Sequence, residues 1–338
     1  MKQIESRIFA AGNQTGLLRI ARAVRGMAAC AVAVAGCAYA QNYPAKPVTI
    51  IVPFAVGSAA DQVARAVAQV FTAGLPNNAT VVIDNKPGAS GMIAAQAAAR
   101  APADGYTLFY TTNTTQSANQ HLFKKLSYDP VADFAPISAI ATGAMILAVP
   151  VGSPVKTVAD FIALAHKREV NFGAGNSSSR VAGEMFKQMT GTNMMFVPYK
   201  SNPQAITDLV GGQLDAMFAD TASAMALIKA EKLRPIAFTG SRRTPSFPSL
   251  PTIDESGVKG YSLTYWGAMY APRGTPKEII NLLNSLIVSG VKTEPFKAVL
   301  ANAVLDVYTS TPDELAQFQA AETQRWGRVI KSAGIEPE

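Results

Sequence analysis

A short β-branched run that ends in proline and glycine and gives way to a helical pattern constrains this chain most, because the unit recurs along its length. Val48 to Val52 is a continuous apolar run of the kind buried on both faces of a parallel sheet. Pro53 and Gly57 break it, and from Asp61 onward Val63, Ala64, Val67, Ala68 and Phe71 fall at helical spacing. A strand over 81–83, a Pro87-Gly88 turn, the alanine-rich stretch Met92–Ala99 and a strand over 107–110 repeat the theme. Strands alternating with helices predict an α/β chain built on doubly wound, mainly parallel sheets flanked by helices.

The pattern then restarts. Residues 145–149 read as a strand and 150–154 as a crossing into a second lobe. Helices over 158–165, 181–189, 204–210 and 223–230 alternate with strands over 171–172, 195–197, 216–218 and 235–238. After a proline-bounded loop over 245–251 and a link over 261–264, a strand over 267–270 returns to the first lobe, which helices over 276–288 and 312–330 complete. A length of 338 residues suits two separate cores. The expected lobes are 41–143 plus 265–338, and 144–264. Two crossings make a hinge of two strands, the arrangement that lets lobes close on a ligand.

The first forty residues stand apart. Lys2, Arg7, Arg19, Arg22 and Arg25 precede an uncharged apolar stretch over 27–40 that ends Ala38-Tyr39-Ala40. Such a stretch is too short to span a hydrocarbon core as a helix, and its small residues suit a signal peptidase, so an export signal over 1–40 with cleavage after Ala40 is expected. Val34-Ala35-Gly36-Cys37 also fits a lipobox, which leaves a lipoprotein anchored at Cys37 as the alternative. The expected location is the periplasm in either case. Removing the segment takes five basic side chains and the acidic Glu5, so the formal charge of +7 falls to +3. Basic pairs such as Lys124-Lys125 and Arg242-Arg243 are too short for a nucleic-acid footprint, and no nucleic-acid partner is expected. Both cysteines, Cys30 and Cys37, lie in the segment, so no disulfide or thiolate metal site is expected in the mature chain.

In sheets of this kind, ligands sit outside the carboxyl ends of the strands. Three loops there stand out. Residues 53–61 carry Phe54, Ala55, Gly57, Ser58, Ala59, Ala60 and Asp61, where Gly57 can aim several N–H groups at one point beside a helix N-terminus. That makes an anion seat. Ser58 or Asp61 also reads as the N-cap of the helix, with Asp61 the favoured one. Residues 174–180 repeat the logic in the other lobe with Asn176, Ser177 and Ser178, and Arg180 is placed to add a bidentate carboxylate contact unless it is solvated. The third loop, over 199–203, offers Tyr199, Asn202 and Pro203, with Tyr199 either a ligand contact or a rim aromatic. A micromolar binder needs about 8 kcal/mol, and charge-assisted hydrogen bonds contribute roughly 1.5 to 3 each. Several contacts to a carboxylate therefore suffice.

Catalytic patterns are missing from the sequence. His166 sits beside Lys167 and Arg168 at a helix end, His121 lies in a polar loop, and no nucleophile elbow, Walker loop or dinucleotide fingerprint occurs. No His, Asp and Glu set has metal-ligand spacing, so no enzyme, cofactor or metal is expected.

Many ordered motifs resemble one family. They are YPAKPVTIIVPFAVGSAAD (43–61), DNKPGASG (84–91), ADGYTL (103–108), LSYDPVADFAPIS (126–138), VPYKSNPQAITDLVGGQLDAMF (197–218), KLRPIAFTGSRR (232–243), PTIDESGVKGY (251–261) and the segment over 266–276. The chain resembles the substrate-binding component of tripartite tricarboxylate transporters, the Bug-type proteins, from Tyr43 almost to its end. The resemblance implies a two-lobed periplasmic-binding fold, type II-like, and a ligand carboxylate held by backbone groups and bridging waters in the first loop. It puts 54–61 at one end of the ligand and adds Thr112, Asn113, Asp220 and Thr221 to the residues that line the rest. The chain departs from its relatives with Gly57-Ser58 in place of two glycines, Arg180 in place of histidine, and Ser201 in place of glycine. The implied ligands are di- or tricarboxylates, with room at Ala55-Val56 for an aromatic carboxylate. The implied partners are membrane permease subunits; a monomer is the ordinary expectation for a receptor that must open and close. A sensor that contacts a membrane signalling receptor is the alternative.

Overall fold

The computed structural model describes residues 43–76 and 79–338; the expected signal over 1–40, its cleavage point and the Cys37 lipobox lie outside the described residues. From Lys46 onward the elements run β1 (Val48–Val52), α1 (Ala59–Gly74), β2 (Val81–Asn85), α2 (Met92–Ala99), β3 (Thr107–Thr112), a π-helical turn (Thr114–Ala118), α3 (Asn119–Leu122) and β4 (Phe134–Pro150). They continue with α4 (Val158–Lys167), β5 (Val170–Ala174), α5 (Ser177–Thr190), β6 (Met194–Pro198), α6 (Asn202–Val210), β7 (Ala216–Asp220), α7 (Thr221–Lys229) and β8 (Leu233–Phe238). The last are β9 (Thr264–Pro272), α8 (Lys277–Gly290), α9 (Glu294–Ala303), β10 (Leu305–Val307) and α10 (Pro312–Ser332).

Local chemistry sets many of these boundaries. In α4, Thr157 and Asp160 close a capping box, and in α10 Thr311 and Glu314 do the same with Pro312 in the first turn. Along α1, Val63, Ala64, Val67, Ala68 and Phe71 are buried, as their spacing predicts.

The fold is two-lobed. Strand order runs β2-β1-β3-β9-β4-β7-β5-β6, with β10 and β8 also paired to β4. The expected parallel pairing holds among β2, β1 and β3 and among β6, β5 and β7, while β9, β4 and β10 join antiparallel. Each sheet is therefore mixed rather than mainly parallel.

The passage between the lobes differs from the expected one. β4 is a single strand of 17 residues. Its first part, Phe134 to Ala144, pairs with β9, and from Met145 onward it pairs with β7 and β8. The chain thus changes lobe within β4, and residues 151–154 are a turn beyond its end. Pro136 and Gly143 mask the long strand, since proline and glycine ordinarily interrupt one. Register shifts between Pro136 and Ser138 and between Ala139 and Ala141 absorb the irregularity. Thr239 ties the returning chain to the crossing, because its Oγ1 accepts from Met145 N at 2.8 Å and donates to the Leu263 carbonyl at 2.7 Å.

Each lobe has its own core. Ile51, Phe109, Phe134, Trp266, Tyr270 and Leu315 pack together in one, and Ile146, Leu209, Met217, Ala219 and Phe238 in the other. At about 25 cal/mol per Å2 of apolar surface, such burial is what holds strands that are buried on both faces.

Candidate functional site

Four helices begin at the cleft between the lobes, each directly after a strand. α1 follows β1 with Ser58 as N-cap, α5 follows β5 with Asn176, α6 follows β6 with Ser201, and α7 follows β7 with Asp220. All four cap residues line one cavity, together with Phe54, Ala59, Ala60, Thr112, Ser178 and Asn202. Helix N-termini carry partial positive charge and unpaired N–H groups, so this cleft attracts anions from both walls.

The first loop is shaped from within by Asp61. Gly57, at φ +83°, turns its N–H onto Asp61 Oδ2 at 3.0 Å. Asn85 Nδ2 donates to Asp61 Oδ1 at 3.0 Å and to the Phe54 carbonyl at 2.9 Å, and Arg65 closes an ion pair with the same carboxylate at 3.0 Å. Asp61 is not the N-cap of α1. That place is taken by Ser58, whose Oγ accepts from Asp61 N at 3.2 Å, because Ser58 has the extended backbone a cap requires and Asp61 is already three residues into the helix. Asp61 faces its own loop and is absent from the cavity wall.

Direct hydrogen bonds join the lobes across the cleft. Ala55 N donates to Ser201 Oγ at 3.1 Å, and Ala59 N donates to Asp220 Oδ1 at 3.3 Å. Asn113 Nδ2 donates to Ser178 Oγ at 2.9 Å, and Ser177 Oγ donates to Asn119 Oδ1 at 2.7 Å. Between these contacts lies a cavity of about 30 Å3, room for little more than a water or two. Asn202 organises the wall on the second lobe. Its Oδ1 accepts from Gly175 N at 2.9 Å, and its Nδ2 donates to Asp220 Oδ2 at 2.7 Å and to Ser179 Oγ at 3.0 Å.

Other expected residues stand outside the cavity. Arg180 reaches Glu338 at 2.7 Å and lies over the Phe196 ring at 5.0 Å, so its guanidinium is committed to a protein carboxylate away from the cleft. Tyr199 donates to Asp208 Oδ2 at 2.7 Å, and burial together with that carboxylate pushes its phenol up to about 12. Pro203 occupies the first turn of α6, and the Thr221 hydroxyl donates to the Ala303 carbonyl. Thr112 lines the cavity, while Asn113 sits behind it and accepts from Trp266 N at 3.3 Å.

The sequence reading missed the hinge side of the cleft. Tyr110, Met145, Tyr265 and Gly267 line it from β3, β4 and β9. Their signal was weak because an inward residue of a strand reads as core whether or not a cavity lies beside it.

The cleft can bind, through N–H donors, hydroxyls, two primary amides and one carboxylate. No lysine, arginine or histidine is among its lining residues. His121 Nε2 is bonded instead to the Thr323 carbonyl at 3.0 Å. Among the described residues no cluster of His, Cys, Asp or Glu has the arrangement of a metal site, and no helix is long and apolar enough to cross a membrane.

Two α/β lobes joined by crossing strands, with helix N-termini facing across the cleft, define a solute-binding protein of the periplasmic class. Comparison with known proteins narrows this. The tripartite tricarboxylate transporter family receptor description matches residues 63–335, and the chain belongs to that family of periplasmic solute-binding proteins. It is 31% identical over 327 residues to protein BugT of Bordetella pertussis, covering 95% of this chain and 98% of that one. Among solved structures, R. palustris Rpa4515 with adipate superposes with a TM-score of 0.85 at 34% identity, over 88% of this chain and 100% of that one. MatC from Rhodopseudomonas palustris with bound malate gives 0.80 at 29%, over 85% and 100%. The family and the two-lobed fold expected from the motifs both hold.

Proposed function

We propose that this protein is an exported receptor that captures a small organic carboxylate between its lobes, unchanged, and delivers it to the membrane permease subunits of a tripartite tricarboxylate-type transporter. One observation carries the reading. At the start of α1, Ala59 N donates to a carboxylate oxygen, that of Asp220, so the anion seat of the first lobe is chemically competent for the group it is proposed to take. Adipate in one relative and malate in another are ligands of the same class. Export follows from the basic and apolar segment over 1–40, with release after Ala40 as the favoured form.

A panel of aliphatic and aromatic carboxylates in a thermal-shift assay tests the reading. Ligand at a hundred times its Kd stabilises the folded form by about 2.7 kcal/mol, which raises Tm by several degrees. An unmoved Tm across the whole panel would rule out carboxylate capture, and recovery of a converted ligand would rule out simple binding.

A further inference from the structure

Asp220 and Tyr265 bring to the cleft a demand that a bare carboxylate does not meet. Asp220 is buried and faces the cavity at the end of β7. Its Oδ1 accepts from Ala59 N at 3.3 Å, Ser223 N at 3.1 Å and Ser223 Oγ at 2.5 Å, and its Oδ2 accepts only from Asn202 Nδ2 at 2.7 Å. Every one of these partners is neutral. A ligand carboxylate seated on the α1 N-terminus takes over the Ala59 N–H and then lies beside a second negative charge with no cation on the cavity wall to balance them. Asp220 Oδ2 keeps unused acceptor capacity.

Tyr265 supplies the other half. It stands in β9 opposite Gly143, is 8% exposed, lines the same cavity, and its buried Oη makes no hydrogen bond of full geometry, with the Thr221 hydroxyl alone interacting with it weakly. The neighbouring Thr221 hydroxyl gives its proton to the Ala303 carbonyl. Burial, with the Asp220 carboxylate adding to it and the Thr221 hydroxyl only partly offsetting it, lifts the Tyr265 phenol well above its ordinary value, so it keeps its proton at neutral pH. An acceptor and a hydroxyl without a full hydrogen bond, lining one cavity, fit a group that donates to the first and pairs with the second.

We propose that Asp220 and Tyr265 form a second subsite, selecting a carboxylate ligand that also carries a hydrogen-bond donor, a hydroxyl or an ammonium, on the carbon chain beside the carboxylate. A hydroxyl donates to Asp220 and accepts from Tyr265; an ammonium donates to both. A methylene in the same place leaves two buried polar groups unsatisfied. The inference rests on the carboxylate reading above.

Calorimetric titration with matched sets of dicarboxylic acids tests it: succinate, malate and aspartate; glutarate, 2-hydroxyglutarate and glutamate; adipate and its 2-hydroxy and 2-amino forms. In at least one set, the hydroxy or amino member is expected to bind the wild-type protein roughly ten-fold or more tightly than the unsubstituted acid, about 1.4 kcal/mol. Asp220→Asn retains an oxygen to cap α7, and Tyr265→Phe retains the ring; each is expected to bring that ratio within about three-fold while the unsubstituted acid still binds. Equal wild-type affinities within every set, or a preference that survives both substitutions, overturn the subsite and leave carboxylate capture standing. Binding of no acid in any set overturns both.

Discussion

Asp61 shows how a charged residue can serve a binding site without touching what is bound. Its carboxylate is buried at 2% exposure and holds the Gly57 N–H, the Asn85 amide and Arg65 together. Asp61→Ala strips a common acceptor from three donors and is expected to cost about 1–3 kcal/mol of stability, read as a lower urea midpoint, and to weaken ligand binding as the loop loosens. Asp61→Asn retains one acceptor and is expected to lose less. A pair of variants as stable and as tight-binding as the parent would show that the loop holds its shape without them. The residue type and position of Asp61 were legible in the sequence, but its role was not. Capping from three residues earlier and support from Asn85, 24 positions on, depend on where β2 lies relative to β1. Arg180 teaches the converse, since a guanidinium at a helix start looks like a ligand clamp until Glu338 is found beside it.

At the scale of elements, the loops after β5 and β6 are packed backbone to backbone. A Cβ built on Gly175 lies 2.0 Å from the Ser201 carbonyl carbon and 2.3 Å from Asn202 N. Gly175→Ala therefore pushes α6 and its cap away from α5, with an expected cost of about 1–3 kcal/mol or more and a loss of affinity as Asn202 leaves Asp220. Gly211→Ala, where the nearest atom is 3.5 Å away, is the matched control and is expected to be almost neutral in both urea denaturation and titration. Equal effects at the two positions would remove Gly175 from any special role. Period and punctuation made the strand-loop-helix units readable, because β1 with α1 and β5 with α5 each bury one apolar face. Elements whose sequence is locally ambiguous escaped. α9 and β10 fell in a stretch with no strong pattern, and β4 was read from 145 alone because its first part carries proline and glycine.

Across the whole molecule, titration sets a stability plateau. Burial works against the charge of Asp215, but Arg168 at 2.5 Å and the Asn171 N–H together hold its carboxyl below the usual range. The Lys156 N–H and the Thr157 hydroxyl likewise lower Asp160, and the Thr311 N–H and hydroxyl lower Glu314. A depressed native pKa contributes stability above the unfolded value of about 4 that is lost as pH falls through the native one. Burial raises Tyr110, Tyr128, Tyr261 and Tyr270, whose contribution is complete below the unfolded value of about 10 and is lost as pH rises past it. Tm is thus expected to hold between about pH 5 and 9 and to fall on both sides; a drop inside that window in a calorimetric series would contradict the assignment. β4 has a different kind of consequence. Since one strand belongs to both lobes and β9 returns to the first lobe from far along the chain, a cut at Ala144 would leave β7 and β8 paired with 145–150 but strip β9 of its partners on both sides, β3 and the first part of β4. Neither half is a cassette that recombination could lift out intact, so a lineage built on this frame is inherited whole, and variety in its cargo has to arise by point changes in the loops around an indivisible spine.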